Sequence, residues 1–521
     1  MADLILRGVT TASGKRMDLG IRATFLVDPS DCRNPRVIDA SGLIILPGLV
    51  DLHTHLREPA PYPAETIATG TAAAARGGYT AVFAMANTDP VTDTADKVRD
   101  LRRRAQTASA EVIPVGAITR GLDGTKLSDI DQMHREGVTY FSDDGHCVMN
   151  ADLMRQALHR IGTFGGVAAQ HAQDHNLAGN TAWLPDGPHT DGPHTDGPHI
   201  PQDTQVAPHP DGSQISTGVP YLVSTPDWVS APDWVSTSDL VSAPDSSADP
   251  PAMPTGISVE SSTAQLRMQA SMKTDPSTDR SPMPTRMPED SPSWWPRAAE
   301  SVIVARDAQL ALDTGTHVHI CHVSTAESVE VVRWAKSRGI PLTAEVTPHH
   351  LLLGSDLLAS HDTRYKVNPP LRSHEDRDAL RQGLADGTLD VVATDHAPHL
   401  PSDKDKPFPQ AKPGMVGLEY ALAVVIDTLV NTGLMDWADV ADRLSHAPAR
   451  IGQIAGHQGR PLLIGELATV TLIDPTRTVI VDKDSSLSLG RNNPYDGMDL
   501  PDPVLATFWQ GRSTYWSPIL G

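Results

Sequence analysis

Cysteine is scarce in this chain of 521 residues: Cys32, Cys147 and Cys321 are the three present, too few and too scattered for a disulfide framework, which fits a reducing compartment. No run of about 18 apolar residues occurs. Residues 1–8 have no basic segment leading into a long apolar one, so neither a membrane-spanning helix nor a secretory leader is expected, and the protein reads as cytoplasmic. Positive charge is also short, with 42 Lys and Arg against 64 Asp and Glu and a formal net charge of -22. Nucleic acid and anionic lipid both need a basic face, so neither is an expected partner, whereas a small polar molecule is.

What the chain has in excess is proline, concentrated in one stretch. Residues 173–296 carry 20 of the 44 prolines and 16 acidic residues against 4 basic ones. The stretch repeats Asp-Gly-Pro-His from Asp186, Asp191 and Asp196, then a six-residue unit, Thr-Pro-Asp-Trp-Val-Ser among its forms, from Thr225 to Ser242. Neither period is that of a helix or a solenoid. Frequent Pro and Gly with like charge cannot offset the entropy of ordering, so a disordered insertion is expected there. His189, His194 and His199 offer a loose metal site and Trp228 and Trp234 a docking motif, but an expanded repeat with no essential role explains them more simply.

The remainder alternates short apolar runs with amphipathic helical patterns. Strands are expected at 44–49, 79–85, 112–117, 139–142, 166–170, 317–322, 342–346 and 391–394, which suggests an α/β protein with a (β/α)8 TIM-type barrel. In that fold the C-terminal strand ends build the active site. Those ends hold His53 and His55, Asp143 and Asp144, His171, His322, His349 and His350, and Asp395, His396 and His399. One histidine on an apolar strand is more often a hydrogen-bonded core residue than a ligand; so many histidines and aspartates at strand ends have few structural explanations. In 317–322, Val318, Ile320 and His322 share a face, so an apolar stripe toward the barrel interior is expected to end in His322, with His319 facing away.

His and Asp at one mouth could supply two close metals, and zinc suits N and O donors. Two cations sharing a water lower its pKa and polarise a carbonyl oxygen, which hydrolysis of an unreactive amide or imide requires. An Asp ligand touching that water can accept its proton and hand it to the leaving nitrogen; Asp395 is the candidate, with a neighbouring His or solvent as the alternative carrier.

The segments Pro-Gly-Leu-Val-Asp-Leu-His-Thr-His-Leu-Arg-Glu-Pro at 47–59 and Ala-Thr-Asp-His-Ala-Pro-His at 393–399 resemble the bacterial type I dihydroorotases of the amidohydrolase superfamily. Met-Ala-Asn-Thr at 85–88, Phe-Ser-Asp-Asp-Gly at 141–145, Cys-His-Val-Ser-Thr at 321–325, Glu-Val-Thr-Pro-His-His at 345–350, Tyr-Lys-Val-Asn-Pro-Pro-Leu-Arg at 365–372 and Gly-Leu-Glu at 417–419 extend the likeness in the same order. The resemblance implies reversible, two-zinc cyclisation of N-carbamoyl-L-aspartate to (S)-dihydroorotate in pyrimidine synthesis. It implies that His53, His55 and Asp395 hold one zinc, that His171 and His322 hold the other, and that Asp144 bridges them where many relatives use a carboxylated lysine. It gives Arg57 and Asn87 to the substrate carboxylate, and Asn368 and His399 to the ring, with His55, Pro413 and Gly414 also lining the substrate. Pro413 departs from the Phe often found there, and Gln170-His171-Ala172-Gln173 departs from the more usual Ala-His-Cys-Glu.

The expected organisation is residues 1–47 and 456–521 in a small β-sandwich, 48–172 and 297–455 in the barrel, and 173–296 as the insertion. A hydantoinase or dihydropyrimidinase-like cyclic amidase uses the same chemistry. A non-catalytic subunit supporting aspartate carbamoyltransferase is the reading from another class, and a homo-oligomer is compatible with either.

Overall fold

Pro47-Gly48 interrupts the apolar run at 43–50, and the interruption carries the chain from one sheet into another. In the computed structural model, which describes residues 3–61, 63–178 and 296–521, Ile44–Pro47 and Leu49–Thr54 are separate strands. Ile44–Pro47 lies beside Leu4–Thr11 and runs antiparallel to Val470–Ile473, so both ends of the chain build one eight-stranded sheet. Arg16–Arg22, Phe25–Val27, Arg36–Asp39, Val504–Trp509 and Arg512–Trp516 complete it, over a core that includes Leu6, Leu19, Leu26, Ile45, Leu472 and Phe508. At the crossing, Gly48 N–H donates to Thr469 O at 2.9 Å, and a Cβ on Gly48 would lie 2.3 Å from Thr80 Oγ1. A side chain there would push the two sheets apart. The strand expected at 44–49 is therefore two strands, and the parallel one begins after the glycine.

Leu49–Thr54, Tyr79–Ala84 and Glu111–Pro114 form a three-stranded parallel sheet. Tyr140–Ser142, Val167–Gln170, His317–Ile320, Leu342–Val346 and Val391–Val392 form a five-stranded one, also parallel. Isolated parallel bridges join Gly116 to Phe141 and Thr54 to His396 across the edges of these sheets. Helices occupy the connections, among them Ile67–Arg76, Ala95–Arg104, Ala151–Gly162, Ala298–Thr314, Ala326–Ser337 and His374–Ala385. Ala298–Thr314 shows how they are specified. Ala299, Ile303, Val304, Ala308 and Ala311 are buried and recur three or four residues apart, save for the adjacent Ile303 and Val304, and Gly315 ends the helix in the left-handed region at φ +67°.

The helices pack on one face of the strands, where Val318 and Ile320 join Ile303, Val304 and Val329. The opposite face carries a second cluster with Val50, Leu52, Phe83, Ala169 and Cys321. The facing expected for 317–322 is thus reversed: Val318 and Ile320 meet the helices. His319 bonds to Glu345 and Thr343. His322 escapes the alternation because the strand stops at Ile320 and His322 itself takes φ +35°.

Residues 173–178, assigned by sequence to the insertion, belong to the described chain and include the helical turn His175–Ala178. Asp174 N–H donates to Ala299 O at 2.7 Å, tying the two flanks together. The repeats, with His189, His194, His199, Trp228 and Trp234, lie outside the described residues. Among the described residues, no helix is long and apolar enough to cross a membrane.

Candidate metal centre

His53 is buried near the end of Leu49–Thr54. Its Nδ1–H donates to Glu345 Oε1 at 2.7 Å, which turns Nε2 toward Asp144 Oδ2 at 3.2 Å and Asp395 Oδ1 at 3.5 Å. His55, one residue past the strand, brings its Nε2 to 3.0 Å from Asp395 Oδ1 and 3.3 Å from Asp144 Oδ2. On the far side of the same carboxylate, Asp144 Oδ1 lies 3.5 Å from His171 Nδ1 and 3.4 Å from His322 Nε2. Asp144 therefore divides its oxygens between two sets of donors. The donor atoms of His53, His55 and Asp395 lie within 4.8 Å of one another, as do those of His53, Asp144 and His322.

The electrostatics call for positive charge. Burial disfavours charge on all these groups, yet the Asp144 and Glu345 carboxylates outweigh it at His53 and hold the imidazole pKa well above its ordinary value. At Asp144 the opposing His53, His171 and His322 win in the same way and hold the carboxyl well below the usual range. Burial is likewise outweighed at Asp395 by His55 and His53, and at Glu345 by His53 and His319, which lower Glu345 to about 2. Buried His53 Nε2 and Asp144 Oδ1 have no hydrogen-bond partner among the described residues, an uncommon state for polar atoms away from water. Nitrogen and oxygen donors converging in this way fit a transition-metal cation of the zinc type.

Neighbouring residues hold these donor groups in place. Asp143, the first of the acidic pair, accepts from Ile118 N–H at 2.7 Å and Thr119 N–H at 2.9 Å, so it fastens the turn and leaves Asp144 to the centre. Asp51 accepts from Thr394 N–H at 2.8 Å and fixes the backbone beside Asp395, itself at φ +44°. Glu300, on Ala298–Thr314, accepts from Ser324 and Thr325 N–H at 3.1 Å each and secures the turn after His322. Of the other histidines at strand ends, His396 faces Glu65 and His350 faces Thr347. His349 is buried, with neither ring nitrogen bonded among the described residues.

The remaining residues stand around the same donor groups. Arg57, at φ +56°, donates from Nε to Pro398 O at 3.4 Å and has no ion pair among the described residues. Asn87 accepts from His55 Nδ1–H at 2.9 Å and donates to Asp144 O at 3.3 Å, which leaves one amide hydrogen uncommitted. Asn368 Nδ2 lies 3.3 Å from His171 Nε2. His399 Nε2–H donates to Pro413 O at 2.7 Å, and Gly414 N–H donates to Lys366 O at 2.8 Å.

Two functional residues escape a reading of strand ends. Glu345 is buried inside Leu342–Val346, where it orients His53 and accepts His322 N–H at 3.1 Å. A carboxylate next to the last residue of a mostly apolar strand was the available signal. Gln173 Oε1 accepts from His171 Nε2–H at 2.8 Å and Asn368 Nδ2–H at 3.0 Å; the departure from Glu at this position marks it in the sequence, but not the pairing it makes.

A family profile described as "Dihydro-orotase-like" matches residues 42–186. The sequence is 42% identical to the dihydroorotase of Streptomyces coelicolor over 520 residues, covering 99% of this chain and 98% of that protein. It is 40% identical to the dihydroorotase of Leifsonia xyli subsp. xyli, covering 98% and 95%. The solved L-hydantoinase (dihydropyrimidinase) of Arthrobacter aurescens superposes with a TM-score of 0.71 at 19% identity, covering 99% of this chain and 97% of that one. Dihydropyrimidinase of Brevibacillus agri NCHU1002 gives 0.70 at 18%, covering 99% and 95%. At such identities the likeness to these two is one of fold.

Proposed function

We propose, on the premise that this chain belongs to the dihydroorotase family, that it interconverts N-carbamoyl-L-aspartate and (S)-dihydroorotate in the bacterial type I manner with two zinc ions. It is a hydrolase of cyclic amides that acts on a small molecule. The observation that carries the reading is Asp144, whose two oxygens face separate donor sets. His53, His55 and Asp395 would hold one zinc and His171 and His322 the other, with Asp144 between them. When bound, the two ions would lower the pKa of a shared water and polarise the ring carbonyl.

The protein's own groups supply the rest. Arg57, with no ion pair among the described residues, offers its fork to the substrate carboxylate, and Asn87 adds its uncommitted N–H. Asn368 and His399 face the ring. Asp395 is ionised at neutral pH, as its lowered pKa requires, and so acts first as a base. In hydrolysis the ring amide C–N bond breaks, water's oxygen bonds to the carbonyl carbon, and Asp395 passes water's proton to the departing nitrogen. In cyclisation the carbamoyl nitrogen attacks the carboxyl carbon, gives its proton to Asp395, and water leaves.

The same reading takes the two parallel sheets as one closed (β/α)8 barrel, supported by the Gly116–Phe141 and Thr54–His396 bridges. The shared terminal sheet would be the larger part of a small β-sandwich, with residues between 178 and 296 an insertion into the barrel. Zinc-loaded protein assayed side by side with dihydroorotate, N-carbamoyl-aspartate and hydantoin tests the function. Chelator-sensitive turnover of the first two alone is expected. Hydantoin turnover would move the reading to a general cyclic amidase, and no turnover with both metals bound would refute it.

A further inference from the structure

The wall of the mouth formed by His399, Pro413 and Gly414 has no freedom of its own. Pro413 has no N–H, and its carbonyl accepts from His399 Nε2–H at 2.7 Å. Gly414 gives its N–H to Lys366 O at 2.8 Å, while its carbonyl accepts from Lys404 Nζ at 3.2 Å and Asn492 Nδ2 at 3.0 Å. A Cβ on Gly414, at φ +143°, would lie 2.6 Å from His399 Nε2. The backbone polar groups of this pair are thus all engaged by other residues, and what the pair adds to the wall is shape.

Asn492 is the residue common to both sides of that wall. It comes from the segment between the Thr478–Ile480 and Asp499–Pro501 strands, far from the metal ligands in sequence, and it is 3% exposed. Its Nδ2 donates to Ala397 O at 2.8 Å as well as to Gly414 O, and its Oδ1 accepts His399 N–H at 3.0 Å. Its own carbonyl accepts Val416 N–H at 3.2 Å. Both amide hydrogens and the amide oxygen are used, each on a backbone group of 397–399 or of 414. Hydrogen bonds from Nδ2 require an amide; a carboxylate of the same shape would set one oxygen against both the Ala397 and Gly414 carbonyl oxygens.

We propose that Asn492 is a positioning residue for substrate binding: it locks the 397–399 turn to the 413–416 segment and so sets where His399, Gly414 and the Pro398 carbonyl that receives Arg57 stand. The inference rests on the dihydroorotase reading, because it is the ring and carboxylate of that substrate which meet this wall. It touches no metal ligand, so the chemistry and the metals are expected to outlast its loss.

The test compares zinc-loaded wild type with Asn492→Asp and Asn492→Ala, measuring kcat and KM for dihydroorotate, zinc per chain and melting temperature. Assays run well below the lowest melting point. Gln458→Ala serves as a structural control: that side chain bonds Thr80 and Glu111, which lie on neighbouring strands remote from the mouth. The expected result is a KM raised about tenfold or more in both Asn492 variants, the cost of one or two lost hydrogen bonds, with zinc retained and kcat changed less than KM. Gln458→Ala is expected to lower the melting temperature and leave KM alone. Should the Asp variant not fold, the Ala variant, which adds no charge, carries the same comparison. An unchanged KM, a loss confined to kcat, or a loss that follows zinc overturns the proposal while the dihydroorotase reading stands. Absence of turnover by wild type in the same assay overturns that reading and this inference together.

Discussion

Glu345 supplies no donor to the cluster around Asp144, yet it holds His53 by Nδ1 and His322 by its backbone, so one buried carboxylate orients a residue of each donor set. Partners of this kind set ligand orientation and basicity, and their loss costs about 10- to 100-fold in metal affinity. Glu345→Gln is accordingly expected to weaken zinc binding by about that factor, read by competition with a chromophoric chelator; unchanged affinity would remove Glu345 from the design. Arg57 acts on the substrate side. Replacing it with Met removes a charged hydrogen-bond partner worth about 1.5–3 kcal/mol, so kcat/KM for dihydroorotate should fall about 10- to 100-fold. Any hydantoin turnover should be untouched, since a neutral ring has nothing for the guanidinium to hold. The histidines of this site were legible in the sequence because each interrupts or ends an apolar run. Glu345 and Gln173 were not, because their roles exist only in pairings with His53, His171 and Asn368 that the fold creates.

Among elements, most parallel strands stand where apolar runs placed them, since a strand buried on both faces leaves a continuous apolar signature. The exceptions are instructive. Leu49–Thr54 begins later than its apolar run because Gly48 alone permits the close approach of Thr80. The facing of His317–Ile320 is the reverse of the one its alternation suggests because His319 and Thr343 satisfy each other on the face opposite the helices, a cross-strand pairing that one segment cannot reveal. Gly77 makes a similar point for helices. It caps Ile67–Arg76 at an ordinary φ of -78°, but a Cβ there would lie 2.0 Å from Leu418 O. Gly77→Ala must therefore displace the 417–419 segment, whose Glu419 pairs with Arg76 at 3.2 Å. An overpacking loss of about 1–3 kcal/mol is expected from urea denaturation, and a neutral result would show that the contact yields freely.

For the whole molecule, acid sensitivity follows from histidines that burial keeps neutral. Burial lowers His317 to about 4, His350 to about 4 and His399 to about 3, while the unfolded chain protonates near 6.5. Between those values the unfolded state binds more protons than the folded one, so stability rises with pH there and falls as pH drops from about 6.5 toward 4. Urea midpoints of the zinc-loaded protein at pH 7 and pH 5 should show that loss. His317→Gln should blunt it without touching the metal cluster, since His317 bonds Thr343 at the start of its strand; equal midpoints at both pH values would contradict the argument.

The sequence by itself determined what depends on local pattern and residue chemistry. The α/β alternation, the strands that carry or lead to His53, Asp144, His171 and His322, the β-rich ends and the anomalous composition of 173–296 are all legible there, because periodicity and side-chain type are properties of contiguous segments. Only the tertiary structure decided which acids stand behind the donor residues, and that Asn492 reaches the 397–399 and 413–416 segments from the C-terminal part of the chain. Those outcomes turn on distances between groups tens to hundreds of residues apart. Such distances are set by how strands register and how loops close over them, and no single segment encodes either.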